Sequence, residues 1–298
     1  MFSPLAMPSR MIVGKSGVTP CKHFLLNRLL GREIGVLSRT SRFDAYCALD
    51  LTAGDGQTAA GQFTESCSPG IALRHLNWFA SKDKNIPVKY AAIEKQPQTF
   101  ASLVENCDAY LGGAWERADA NELSYSARHK SIEVKLVNSN STEIVLPASL
   151  ARNRSALFIY NDPNHIEDWC LTKRLLDSAP DFTTSLSTLG CNVSGLKRIN
   201  LDKREAWYER VDMVTNCLVQ PWHDACLFSV GGADQWAYLI TAPEKWRKEI
   251  TIECLKAAKE IKNRVAEPQI AWFKQDHSSF KRLQDYLFLT KKELGAVK

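Results

Sequence analysis

The stretch Ala45-Tyr46-Cys47-Ala48-Leu49-Asp50-Leu51, followed at once by Thr52-Ala53-Gly54-Asp55-Gly56, decides how this chain is read. An apolar run this short, without polar alternation, predicts a strand buried on both faces that passes into a tight loop. Downstream, Val88–Glu94 (VKYAAIE) predicts a second strand, then a helix over about 97–111 that stops at Gly112-Gly113. Upstream, residues 18–36 carry Phe24, Leu25, Leu29 and Leu30 at helical spacing with Pro20 near the start, which predicts a helix. Residues 57–82 read as helix or loop, split by Pro69-Gly70.

Further on the signals vary in strength. Ala114–Ala118 (AWERA) reads as a short strand ending at Asp119, and 131–137 (SIEVKLV) as a firmer, alternating one. Ala156–Asn164 (ALFIYNDPN) is the most apolar candidate, with a helix predicted over 165–178. Thr183–Leu189 is the next strand, and a helix is predicted over about 202–218. Residues 225–242 hold two apolar runs around Gly231-Gly232-Ala233-Asp234-Gln235, a hairpin signature. The tail places Trp246, Ile250, Cys254, Ala258, Ile261 and Val265 on a helical stripe, with a last helix over about 278–294.

Strands alternating with helices predict the α/β class, a Rossmann-like, mostly parallel sheet with helices on both faces. The hairpin adds an antiparallel edge. The expected division is a basic helical flank at 1–44, a catalytic domain at 45–243 and a basic helical extension at 244–298.

The 298 residues are 45% hydrophobic and 24% charged, which excludes a disordered or collagen-like chain. No run approaches the roughly 20 apolar residues of a membrane span, and the first 20 residues lack the apolar core of a signal peptide. A cytoplasmic protein with no membrane partner is expected. The nine cysteines include no C-x-x-C pair, so no metal site is expected, and their scatter fits a reducing compartment.

The net charge of +5 is segregated: residues 1–44 and 244–298 each carry +5, leaving the centre at −5. Basic ends around an acidic centre suit contact with a polyanion, so nucleic acid is the expected partner. Lys and Arg solvating exposed helices would give the same count. Nothing in the sequence indicates a protein partner.

Ligands of such sheets bind beyond the carboxyl ends of the strands, and three predicted ends carry polar residues. Asp50-Leu51-Thr52-Ala53-Gly54-Asp55-Gly56 offers glycines and backbone amides. Glu94 can accept two ribose hydroxyls. Asn161-Asp162-Pro163-Asn164-His165 ends the run from Ala156. Asp50 could instead cap a loop, and Glu94 could be a solvated strand end. Asp162 and Pro163 could simply start a helix.

Together these residues resemble class I S-adenosylmethionine-dependent methyltransferases over about residues 45–242. The resemblance implies S-adenosylmethionine as cofactor, with Asp50, Thr52, Ala53, Gly54 and Gly56 around its methionine part and Glu94 on its ribose. Asp119, or else Asn140, would be the residue after the third strand that meets the adenine amino group. Asp162-Pro163-Asn164-His165 is similar to the D-P-P-Y motif of amino-methylating nucleic-acid methyltransferases, with Asn for the second Pro and His for Tyr. That likeness implies Asp162 and the Pro163 carbonyl as acceptors for a target amino group, adenine-type, and His165 as a stacking ring.

Other classes compete. Gly54-x-Gly56-x-x-Ala59 fits a loose dinucleotide fingerprint, but its acid belongs about 20 residues on, and Glu94 lies 40 beyond Gly54. A small-molecule or protein methyltransferase would share the cofactor residues without needing basic flanks. A catalytically silent binding protein would keep the fold, and the departures at Asn164 and His165 suit it.

Overall fold

The computed structural model describes residues 19–39, 43–56, 63, 67–82, 86–112, 115–116, 124–129, 132–141, 144, 154–162, 175, 179–180, 182–189, 223–230, 236–259 and 268–273. The helices expected at 165–178, 202–218 and 278–294 lie outside the described residues, apart from Leu175 in the first of them.

Helix α1 (Thr19–Leu37) precedes β1 (Ala45–Asp50). Helix α2 spans Ser68–Ala80, and its first turn contains Pro69. Pro69-Gly70 therefore begins a helix, where the sequence suggested a break, because proline lacks only an N–H that the first turn leaves unbonded anyway. The preceding Cys67 caps that turn, its Sγ accepting the Gly70 N–H at 3.4 Å. Strand β2 (Val88–Glu94) leads into α3 (Pro97–Leu111), which ends at Gly112 as expected. Strand β3 is only Trp115–Glu116. Then come β4 (Ser124–His129), which the sequence did not suggest, and β5 (Ile132–Asn138). Strands β6 (Ser155–Asn161) and β7 (Phe182–Leu189) follow. Strands β8 (His223–Val230) and β9 (Trp236–Pro243) form the expected hairpin. After a 3-10 turn at Glu244–Trp246 come α4 (Arg247–Ala258) and β10 (Gln269–Phe273).

The ten described strands form one sheet, ordered β10-β8-β9-β7-β6-β1-β2-β5-β4-β3. The central five, β5-β2-β1-β6-β7, are parallel. This is the Rossmann-like, mostly parallel core the sequence predicts, extended by antiparallel strands on both sides. The hairpin is antiparallel as expected, but β9 is clasped between β7 and β8, and β10 covers β8 from outside. The C-terminal extension is helical over Arg247–Ala258, within the stripe the sequence predicts, and it adds a strand, Gln269–Phe273, that an all-helical extension did not include. Its Ile270-Ala271-Trp272-Phe273 follows Pro268 and suits an extended, packed strand better than a helix.

One face of the sheet and all four described helices share a core. It takes alternate residues from each strand: Tyr46 and Ala48 from β1, Tyr90 and Ala92 from β2, Phe158 and Tyr160 from β6. Against them α1 lays Cys21, Leu25, Leu29, Leu30, Ile34 and Leu37, each at most 2% exposed. Burial of each such leucine or isoleucine is worth about 2 kcal/mol. The opposite-facing Cys47, Leu49, Ile93, Leu157 and Ile159 are buried too, as expected for a sheet covered on both faces.

Ion pairs tie α1 to α4. The Arg28 Nε and Nη2 donate to both oxygens of Glu253, at 2.6 and 3.0 Å. Arg32 meets Glu249 at 3.2 Å and lies over the Trp246 ring. Helix α1 therefore packs in the same core as the sheet. No described helix is long and apolar enough to cross a membrane.

Candidate functional site

Strand β1 lies between β2 and β6: the chain builds outward from β1 through β2 and β5, then returns to β1's other side at β6. In open α/β sheets the ligand crevice forms at such a reversal, beyond the carboxyl ends. The loop Leu51–Gly56 leaves β1 there. The Leu51 N–H donates to the Tyr160 carbonyl at 2.9 Å, and the Ala53 N–H to the Ile93 carbonyl at 3.0 Å. Both neighbouring strands therefore hold the loop.

Gly54 and Gly56 adopt φ of 66° and 69°, the left-handed region where a Cβ is strained. Their surroundings differ. A Cβ on Gly56 would lie 3.3 Å from Leu103 and 3.4 Å from Asn106, whereas one on Gly54 would meet no atom of the described residues within 4 Å. Gly56 lets the loop press onto α3, and Asn106 of that helix donates to the Asp55 carbonyl at 3.0 Å. Among the described residues nothing crowds Gly54.

Asp50, expected to help hold the cofactor, is 2% exposed and acts from beneath the loop. Its Oδ1 accepts the Thr52 N–H at 3.1 Å, and the Tyr90 hydroxyl lies 3.4 Å from Oδ2. Burial pushes its carboxyl up to about 7, against the pull of Ser68, Thr52 and Tyr90 and with a contribution from the charge of Asp162. Asp50 sets the shape of the loop.

Glu94 ends β2, half-buried. Its Oε2 accepts the Gly54 N–H at 3.1 Å and its Oε1 the Gln96 N–H at 2.8 Å. A carboxylate oxygen can accept two hydrogen bonds, so each Glu94 oxygen keeps one acceptor position. The third parallel strand is β5, and its end residue Asn138 donates to the Glu94 carbonyl at 2.8 Å. Asn140 follows two positions on and is exposed. Strand β3, expected to precede the adenine-binding acid, is instead the outermost antiparallel strand. Its short, mixed Trp-Glu sequence does not make a buried parallel strand. Asp119 lies outside the described residues.

Asp162 follows β6 directly beside the loop, its N–H donating to Thr52 Oγ1 at 2.7 Å. Its carboxylate is already engaged on both oxygens: Lys22 of α1 pairs with Oδ2, and the Thr188 hydroxyl of β7 donates to Oδ1. The Lys22 and Asp162 side chains are only 12% and 21% exposed. His23, next to this pair, is pushed down to about 4, first by burial and then by Lys22, and is uncharged near neutrality. Pro163, Asn164 and His165 lie outside the described residues.

The structure therefore brings Asp50, Thr52, Ala53, Gly54, Gly56, Glu94 and Asp162 to one sheet end. The sequence reading missed Lys22, Thr188 and Asn138. Asn138 could have been found as the last residue of the third parallel strand. Nothing local marks Lys22, which lies 140 positions from its partner.

No family model matches this sequence, and no curated protein does. Solved structures similar to it include the METTL16 MTase domain, at 12% identity and TM-score 0.36, covering 72% of this chain and 65% of that one. The O-methyltransferase from Bacillus cereus in complex with SAH is 11% identical with TM-score 0.40, covering 80% and 84%. The precorrin-6y C5,15-methyltransferase from Geobacter metallireducens is 14% identical with TM-score 0.34, covering 72% and 86%.

Proposed function

We propose that the protein is an S-adenosylmethionine-dependent methyltransferase whose acceptor is an amino group, adenine-type, in nucleic acid. One observation carries the cofactor reading: Glu94, at the end of the strand next to β1, grips the open glycine of the loop after β1 while each of its oxygens retains an acceptor position. Two acceptors on one carboxylate fit the vicinal hydroxyls of a ribose, and the open side of Gly54 leaves room for a ligand against the backbone. Bound there, the cofactor supplies an electrophilic methyl group on a sulfonium. Asp50 would shape the loop, Glu94 would hold the ribose, and Asp162 would accept hydrogen bonds from the target amine and orient its lone pair. The basic flanks favour a polyanionic substrate.

The test is calorimetric titration of S-adenosylmethionine and S-adenosylhomocysteine into the wild type and Glu94→Gln. Both ligands are expected to bind the wild type. The variant should bind at least about tenfold more weakly, because the amide turns an acceptor into a donor facing backbone N–H and ribose O–H groups. Absence of binding to the wild type would remove the methyltransferase reading.

A further inference from the structure

The acceptor position at Asp162 is filled by a residue of the chain itself. Lys22 reaches from the first helix to Oδ2, and the Thr188 hydroxyl donates to Oδ1, so each carboxylate oxygen already carries one bond and the charge of Asp162 is met by an ammonium. Among the described residues Lys22 is the only cation paired with Asp162. The arrangement is held from several sides. Helix α1 is pinned to α4 through Arg28–Glu253 and Arg32–Glu249, and Asn27 accepts from Arg74 of α2 at 2.5 Å. Asp162 is in turn fixed to the glycine loop through Thr52. Lys22 is therefore not a loose surface side chain that happens to find a carboxylate.

Resting on the methyltransferase reading above, we propose that Lys22 is the resident occupant of the amine seat and that an acceptor amine enters by displacing it from Asp162. Lys22 is then a positioning residue. It keeps the carboxylate neutralised until an acceptor arrives. The same pairing lowers the affinity of the empty site for cations in general, since an incoming ammonium meets a neutral pair instead of a free carboxylate.

A cofactor analogue reads this directly. Sinefungin carries a CH–NH3+ in place of the S–CH3+ group, so its amine probes the point of methyl transfer, while S-adenosylhomocysteine presents a neutral sulfur there. Both would be titrated calorimetrically into the wild type, Lys22→Met, Lys22→Arg and Lys22→Met/Asp162→Asn, with the melting temperature of each variant taken alongside. The quantity read is the ratio of the two affinities, which cancels a general loss of folding or of ribose binding. The wild type and Lys22→Arg are expected to show similar, low preference for sinefungin. Lys22→Met should raise that preference by about tenfold or more, the effect of a charge-assisted bond to an unpaired carboxylate. The double variant should not show the rise. An unchanged ratio in Lys22→Met, with S-adenosylhomocysteine still bound, would overturn the proposal. So would a rise that persists in the double variant, which would reflect only the removal of a positive charge. If S-adenosylhomocysteine binds none of the proteins, the cofactor reading itself fails, and this inference fails with it.

Discussion

Asp50 makes a quantitative test of how the loop is built. Its ordinary value of 3.8 is raised to about 7 by burial. The folded protein therefore holds a proton on Asp50 over a range where the unfolded chain has lost it. The resulting stabilisation is complete below 3.8 and disappears as pH rises through about 7. The whole displacement corresponds to about 4 kcal/mol, undiminished by solvent because the side chain is 2% exposed.

Asp50→Asn removes the titration while keeping an acceptor for the Thr52 N–H, and the Tyr90 and Ser68 hydroxyls can turn their lone pairs toward its amide. Urea unfolding of the wild type and the variant between about pH 4.5 and about pH 8 gives the difference in stability at each pH. From the lower to the upper limit the wild type should lose about 3 kcal/mol relative to the variant. His23 and His75, both held near 4 by burial, have the opposite sign: their stabilisation is present above 6.5 and lost as pH falls. They bend the curve of either protein but cancel in the difference. A difference that stays constant within about 0.5 kcal/mol would refute a buried, protonatable Asp50 beneath the loop.

Three other outcomes are expected. Gly54→Ala and Gly56→Ala share the cost of a left-handed alanine, about 1 kcal/mol, but Gly56→Ala also crowds Leu103 and Asn106 and should cost about 1 kcal/mol more in urea unfolding; the reverse order would contradict the packing described. A double-mutant cycle on Arg28→Ala and Glu253→Gln should return a coupling of about 1 kcal/mol. Since Arg28 holds the Glu253 carboxyl below its ordinary value, that coupling should fade as the solution is acidified through the lowered value. The full chain should bind RNA or duplex DNA at least about tenfold more weakly at 200 mM than at 50 mM salt in filter binding, and a salt-independent affinity would argue against a polyanionic substrate.

Strands β1 and β6 were legible because a parallel strand buried on both faces needs a nearly unbroken apolar run, and Ala45–Asp50 and Ser155–Asn161 supply it, while β2 was legible from its short apolar stretch Tyr90–Ile93. Strand β4, Ser-Tyr-Ser-Ala-Arg-His, was not, since its pairing with β5 along one edge asks for no apolar run. Pro69-Gly70 was misread because the same dipeptide that breaks a helix inside can open one. The glycine loop and Glu94 could be read in order along the chain, and the structure adds that they bond to each other. Asp50 looked like a ligand residue because local sequence does not show that β2 and α2 close over it. Lys22 was invisible for a related reason: on an amphipathic helix a lysine looks like a solvated one until the fold sets it against Asp162.

The clamp between α1 and α4 has a consequence for the order in which the protein becomes competent. Synthesis delivers α1 first, yet its Arg28 and Arg32 partners, Glu253 and Glu249, leave the ribosome more than 200 residues later. A nascent chain that has already made β1, β2 and β6 holds the loop and Glu94, but the helix that carries Lys22 is not yet braced by α4. The seat at Asp162 is completed by the last described helix to emerge, so translation itself delays the finished site until Arg247–Ala258 has left the ribosome.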